Sequence, residues 1–98
     1  MIKNGVNPTG IKEEILLALL LIQPLFTRRG YSMVITSLLD GQHSRGSLHY
    51  KGLAVDLRRR HLSEEHVKEI FEEMKESLGS RYDVVLESSH YHIEYDPK

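Results

Sequence analysis

At 98 residues the chain is sized for one domain with a single modest hydrophobic core. Its 13 basic and 14 acidic side chains leave a formal charge of -1, so no strong positive field marks it for nucleic acid. The absence of cysteine excludes a disulfide framework and a thiolate metal site, and leaves histidine, aspartate and glutamate as the available metal ligands.

The opening stretch, Met1 to Gly10, is polar and turn-rich and lacks the basic-then-apolar pattern of a secretion signal. As encoded, the chain is therefore expected to stay in the cytoplasm. Asn7-Pro8-Thr9-Gly10 reads as a turn, with a helix from about Ile11. Glu13 and Glu14 suit its first turn, where the positive end of the helix dipole favours acids. The run Ile15 to Ile22 is apolar on nearly every face, which predicts a largely enclosed helix. It falls far short of the roughly 20 residues needed to cross a bilayer. Pro24 is expected to kink or end the helix, and Thr27-Arg28-Arg29-Gly30 to close the segment.

Tyr31 to Thr36 reads as a strand and Leu38 to Gly46 as a loop. Leu53 to Leu57 alternates, with Leu53, Val55 and Leu57 toward the core and Ala54 and Asp56 on the opposite face. The dense basic run Arg58-Arg59-Arg60 reads as a solvated strand end. A second helix opens at the N-cap Ser63, carries Val67, Ile70, Phe71, Met74 and Leu78 at helical spacing, and stops at Gly79. His61 and His66 are assigned to the surface with no role.

Asp83 to Glu87 and His90 to Tyr95 are strand-like runs separated by Ser88-Ser89. A two-residue hairpin turn there sets Glu87 across from His90 and Val85 across from His92. Strand alternation then gathers Glu87, His90 and His92 on one side of the sheet, and sends Val84, Leu86, Tyr91 and Ile93 to the side where helices pack. The order of elements predicts one α+β domain over residues 1–98, with a small, mainly antiparallel sheet and helices packed on one face.

Two clusters carry chemistry. Ser47-Leu48-His49-Tyr50-Lys51-Gly52-Leu53-Ala54-Val55-Asp56 pairs an imidazole with a carboxylate across small residues, and Glu87-Ser88-Ser89-His90-Tyr91-His92-Ile93-Glu94 supplies more of both. An imidazole and a carboxylate from one segment and an imidazole from another are the three protein ligands of a catalytic zinc site, whose fourth position is left to water. His49, Asp56 and one of His90 and His92 are the candidate ligands. Zinc polarises a carbonyl and lowers the pKa of its water to about 7. Glu87 is the candidate general base, and the histidine left off the metal is placed to stabilise an oxyanion or assist proton transfer.

Ser47-x-His49-x-x-Gly52-x-Ala54-x-Asp56 resembles the signature of the D-alanyl-D-alanine carboxypeptidase and dipeptidase metallopeptidases, which share a zinc superfamily with lysostaphin-type and hedgehog-type domains. The second cluster resembles that group's His-x-His strand, and Glu87-x-x-His90 its Glu-x-x-His variant. Together the motifs cover about half the chain. The resemblance implies a hedgehog/D-Ala-D-Ala peptidase-like fold and a zinc peptidase acting on bacterial cell-wall peptides; many short relatives are phage lysis enzymes. It makes His49 and Asp56 zinc ligands and places Ser47 at the substrate. The His-x-His form makes His92 the third ligand with His90 beside the water; the Glu-x-x-His form makes His90 the ligand with Glu87 as base. His92-Ile93-Glu94-Tyr95 also resembles the residues after the ligand in several relatives, which assigns the metal to His92.

Gln42-His43-Ser44-Arg45 lies where the family often holds substrate, and Arg45 could grip a terminal carboxylate with its two-pronged donor set. The chain departs from the family in its short length, in having no separate wall-binding domain, and in lacking the tryptophan that often precedes the last ligand. The expected activity is hydrolysis of a peptidoglycan stem or cross-link peptide bond next to a D-amino acid, after release or lysis brings the protein to the wall. A monomer with no nucleic-acid partner is expected. The rival reading is a non-catalytic zinc-binding interaction module of the hedgehog type, in which a base such as Glu87 has no use.

Overall fold

The computed structural model describes residues 13–40 and 53–96. The expected turn at Asn7 to Gly10 and the helix start at Ile11 lie outside the described residues.

Helix α1 spans Glu13–Thr27 with both acids in its first turn. Pro24 sits inside the helix instead of ending it, and the Arg28 N–H donates to the Pro24 carbonyl at 3.0 Å. Proline forfeits only the bond its own N–H would have made, which α1 tolerates one turn from its end. Gly30 then turns the chain out at φ +85, with its N–H on the Thr27 carbonyl and the Tyr31 N–H on the Phe26 carbonyl. That positive φ favours glycine.

The enclosure expected for α1 does not hold. Ile15, Ala18, Leu19, Ile22, Leu25 and Phe26 are buried, but Leu16, Leu17, Leu20 and Leu21 keep between 42% and 60% exposure. The buried side meets α2 and the sheet, and no described element covers the other. Ile22→Ala, at a site with 0% exposure, is expected to cost about 2–5 kcal/mol. Leu20→Ala, at 60% exposure, should cost under about 1 kcal/mol, since much of that side chain is already in water. Urea denaturation of the two variants checks the contrast.

Strand β1 is Ile35–Asp40, later than the Tyr31 to Thr36 expected. Leu38, assigned to a loop, packs against the core, which draws the following residues into the ladder. β1 pairs antiparallel with β2 (Leu53–Arg58), and the register slips between Ile35 and Ser37, leaving Thr36 as a bulge. Helix α2 runs Glu64–Leu78. Ser63 caps it by accepting from the His66 N–H, and Gly79 closes it at φ +75. A short 3₁₀ turn, Gly79–Arg81, leads into β3 (Tyr82–Leu86), and β4 (His90–Tyr95) returns beside it.

The four strands form one antiparallel sheet in the order β1-β2-β4-β3. Val55, Leu57, Tyr91 and Ile93 from the two central strands join the buried faces of α1 and α2 in a single core. Tyr91 is fully buried, meets Phe26 edge-to-face with centroids 6.0 Å apart, and donates from its hydroxyl to the Val67 carbonyl at 2.8 Å. Arg29 ties the end of α1 to α2, with Nη2 2.7 Å from Glu73 Oε2. That bond, against the cost of burial, holds the Glu73 carboxyl below its usual range. With both helices on one side, the face carrying Asp56, His90, His92 and Glu94 has no helix over it among the described residues. Among the described residues, no helix is long and apolar enough to cross a membrane.

Candidate functional site

Strand periodicity builds the open face row by row. The β2–β4 register sets Asp56 opposite His92, Arg58 opposite His90 and Ala54 opposite Glu94. On the far side of β4, Val85 lies opposite His92, and the Glu87 N–H donates to the His90 carbonyl at 2.8 Å. The hairpin register is thus the one a two-residue Ser88-Ser89 turn predicts. Directly opposed residues share a face, so two imidazoles and two carboxylates collect over the middle of the sheet.

His92 is the centre of this group. Its Nδ1 is 2.7 Å from Asp56 Oδ1 and its Nε2 is 3.1 Å from Glu94 Oε1. Both ring nitrogens face carboxylates, an arrangement that favours the doubly protonated imidazolium, which donates to both. Burial by itself lowers the His92 pKa, but the hydrogen bonds it donates to Glu94 and Asp56 and their charges outweigh it and the net shift is upward. His90 stands beside this pair, with Nε2 3.7 Å from Asp56 Oδ2 and Nδ1 3.0 Å from Ser89 Oγ. The side chains of Asp56, His90 and His92 keep 24%, 28% and 28% exposure, enough for a ligand to reach them.

A raised histidine pKa links stability to pH with a definite sign. The folded state holds its proton more tightly than the unfolded chain, so the contribution is complete below the ordinary value of 6.5 and is lost as pH rises through the folded-state pKa above it. The melting temperature of metal-free protein is expected to fall across that window. His92→Gln should flatten this part of the profile.

The donor chemistry of Asp56 and His92 fits zinc. Two donors on a tetrahedral zinc stand roughly 3.3 Å apart, given bonds of about 2.0–2.1 Å. A proton on His92 Nδ1 would be the charge that a divalent cation displaces. Among the described residues, no group of three or more histidine, aspartate or glutamate side chains is arranged to hold a metal. The remaining expected ligand, His49, lies outside the described residues, as do the expected substrate residues Gln42, Arg45 and Ser47.

Glu87 lies at the turn end of the hairpin with an exposed side chain, across from His90. Three features escaped the sequence reading. Glu94 braces His92, and the His90, His92, Glu94 alternation along β4 was the available signal. Arg58 is no solvated strand end: it shares the Asp56 face by the same period of two, and its Nε is buried. Its neighbour Arg59 bonds the Glu87 carbonyl at 2.7 Å and the Glu64 carboxylate at 3.2 Å, leaving Arg60 as the exposed member of the run. His66, assigned to the solvent face, is half-buried with Nδ1 2.7 Å from the Tyr31 hydroxyl. Nothing in the local pattern pointed to that contact, which joins residues far apart in the chain.

No protein-family model, no curated protein and no solved structure matches this chain.

Proposed function

We propose that the chain is a zinc-dependent peptidase of the hedgehog/D-Ala-D-Ala peptidase-like type, hydrolysing a peptidoglycan stem or cross-link peptide bond next to a D-amino acid. The observation that supports it most is the 2.7 Å approach of Asp56 Oδ1 to His92 Nδ1 from neighbouring strands, on the sheet face without helices. His49, Asp56 and His92 would hold the metal. Zinc, when bound, supplies carbonyl polarisation and a water acidified toward neutral pKa.

The remaining groups take roles that their positions allow. Glu94 accepts from His92 Nε2 and so fixes the ring with Nδ1 toward Asp56, the orienting contact that metal-bound histidines usually have. His90 Nε2, near Asp56 but not bonded to it, would donate to the developing oxyanion of the peptide carbonyl. Glu87, at the solvent edge across from His90, would take the proton from water and return it to the leaving amine. Gln42, Arg45 and Ser47 would line the substrate.

Mass spectrometry of peptidoglycan fragments incubated with zinc-loaded protein, beside a chelated control, tests this reading. A peptide product absent from the control, and lost in Glu87→Gln protein that still binds zinc, is the expected result. Zinc binding with no product from several wall chemistries would move the assignment to a non-catalytic zinc module.

A further inference from the structure

Strand β3 closes one side of the sheet, and no described strand pairs with its outer edge. Which of its backbone groups point outward follows from the ladder with β4. The Glu87 N–H donates to the His90 carbonyl and the Asp96 N–H to the Arg81 carbonyl, both at 2.8 Å, at the two ends of one uninterrupted register. Hydrogen-bonded pairs alternate along an antiparallel ladder, so Asp83 and Val85 also bond inward to β4. Tyr82, Val84 and Leu86 therefore turn their N–H and C=O groups to the free edge. The other edge strand, β1, carries the bulge at Thr36, a device that discourages further pairing. β3 is regular, lacks lysine and proline, and leaves Val85 at 44% exposure.

We propose that β3 pairs antiparallel with β3 of a second copy about a two-fold axis at Val84, joining the two four-stranded sheets into one. The strand is self-complementary in that register. Val84 lies opposite Val84, Tyr82 opposite Leu86, Asp83 opposite Val85 and Arg81 opposite Glu87. All three outward residues then exchange both backbone bonds with the other copy, about six bonds at two for each pair. Arg81 and Glu87 are both exposed and opposite in charge, and the two-fold makes that cross-strand contact twice. Val85 comes within diagonal reach of Val85 across the axis, which covers an apolar side chain now facing solvent. Sliding one copy by two residues keeps the backbone phase but opposes like charges: Asp83 meets Asp83 in one direction and Glu87 in the other. A one-residue slide sets outward backbone groups against inward ones.

Such a pair closes on itself, since an isologous contact uses up the same edge of both copies. A strand of 5 residues makes a short contact, so the monomer expected from the sequence is one state of a concentration-dependent equilibrium. Helix α2, which packs on β3, lies on the same face in both copies and comes to flank the axis. A strand from another protein would find the same backbone groups but not the Arg81–Glu87 match at both ends. Glu87, assigned above as the base, gains Arg81 of the other copy as a cationic neighbour, yet the pairing stands on β3 itself and does not need the peptidase reading.

Sedimentation velocity of the full chain over about 1–500 μM tests the pairing, with chelator present so that no metal bridges copies. The expected result is a monomer–dimer equilibrium with no larger species. Val84→Pro should weaken association about tenfold or more while circular dichroism and melting remain those of a folded protein, because proline is tolerated where a strand's N–H faces outward. Arg81→Glu should weaken it about tenfold, and adding Glu87→Arg to that variant should restore it. Where Val84→Pro fails to fold, the charge pair decides alone. A monomer at every concentration, a dimer indifferent to Val84→Pro, or a charge reversal that the double variant fails to rescue overturns the proposal. A dimer lost in Leu20→Lys but kept in Val84→Pro overturns it too, and moves the contact to the exposed leucines of α1.

Discussion

The Tyr91→Ala protein is expected to be strongly destabilised, losing a large share of its folding free energy. Tyr91 has 0% exposure, lies on β4 in the middle of the sheet, and is the largest of the fully buried side chains among the described residues. Truncating a buried aromatic to alanine costs about 3–5 kcal/mol, against a total stability of about 5–15 kcal/mol for an ordinary domain. The loss is concentrated here because one side chain serves three elements: its ring meets Phe26 of α1, its hydroxyl bonds the Val67 carbonyl of α2, and its backbone sits in β4. Tyr91→Phe keeps the ring and gives up one hydrogen bond, so it should cost only about 1 kcal/mol. Denaturant melts of both variants separate the packing from the bond. Tyr91 stands between His90 and His92, so the same anchor that holds the core holds the two histidines on the opposite face.

Replacing His92 with alanine is expected to abolish zinc binding and all zinc-dependent hydrolysis, while His90→Ala keeps the metal and loses rate. The two differ in position. His92 faces Asp56 at 2.7 Å and is braced from behind by Glu94, the arrangement of a ligand with its supporting carboxylate. His90 is 3.7 Å from the same aspartate and shares its other nitrogen with the Ser89 hydroxyl. A group that donates to an oxyanion or moves a proton contributes about 10²–10⁴ to rate without holding the metal. Zinc content and kcat measured on the same two preparations check the distinction. Loss of zinc in His90→Ala with retention in His92→Ala would reverse the two roles.

The half of the molecule built on short periods was readable from the residues. Alternation along Leu53 to Leu57 and His90 to Tyr95, with a two-residue turn at Ser88-Ser89, was enough to put Asp56 and His92 on a helix-free face and to set Glu87 across from His90. Ser63 and Gly79 bounded α2 because each satisfies helix-end groups in a way few residues can. What stayed hidden depends on neighbours rather than on period. The apolar run of α1 reads the same whether one side or all sides are covered, and only tertiary packing reveals that Leu16, Leu17, Leu20 and Leu21 face outward. β1 was misplaced because Leu38 carries no β-branch and its strand character comes from packing on the core. Arg58 looked like one of three solvated arginines, yet the strand period that aims Asp56 at the open face turns Arg58 into the same surface.

Isothermal titration of zinc into the metal-free protein, repeated with His49→Ala, Asp56→Ala, His92→Ala and His90→Ala, is the most direct test of the central claim. The expected result is one zinc per chain bound at micromolar concentration or tighter, lost in each of the first three variants and kept in the fourth. The absence of zinc binding by the unaltered chain at micromolar concentrations would contradict it, and would leave the Asp56–His92–Glu94 cluster as a protonated, metal-free hydrogen-bond network.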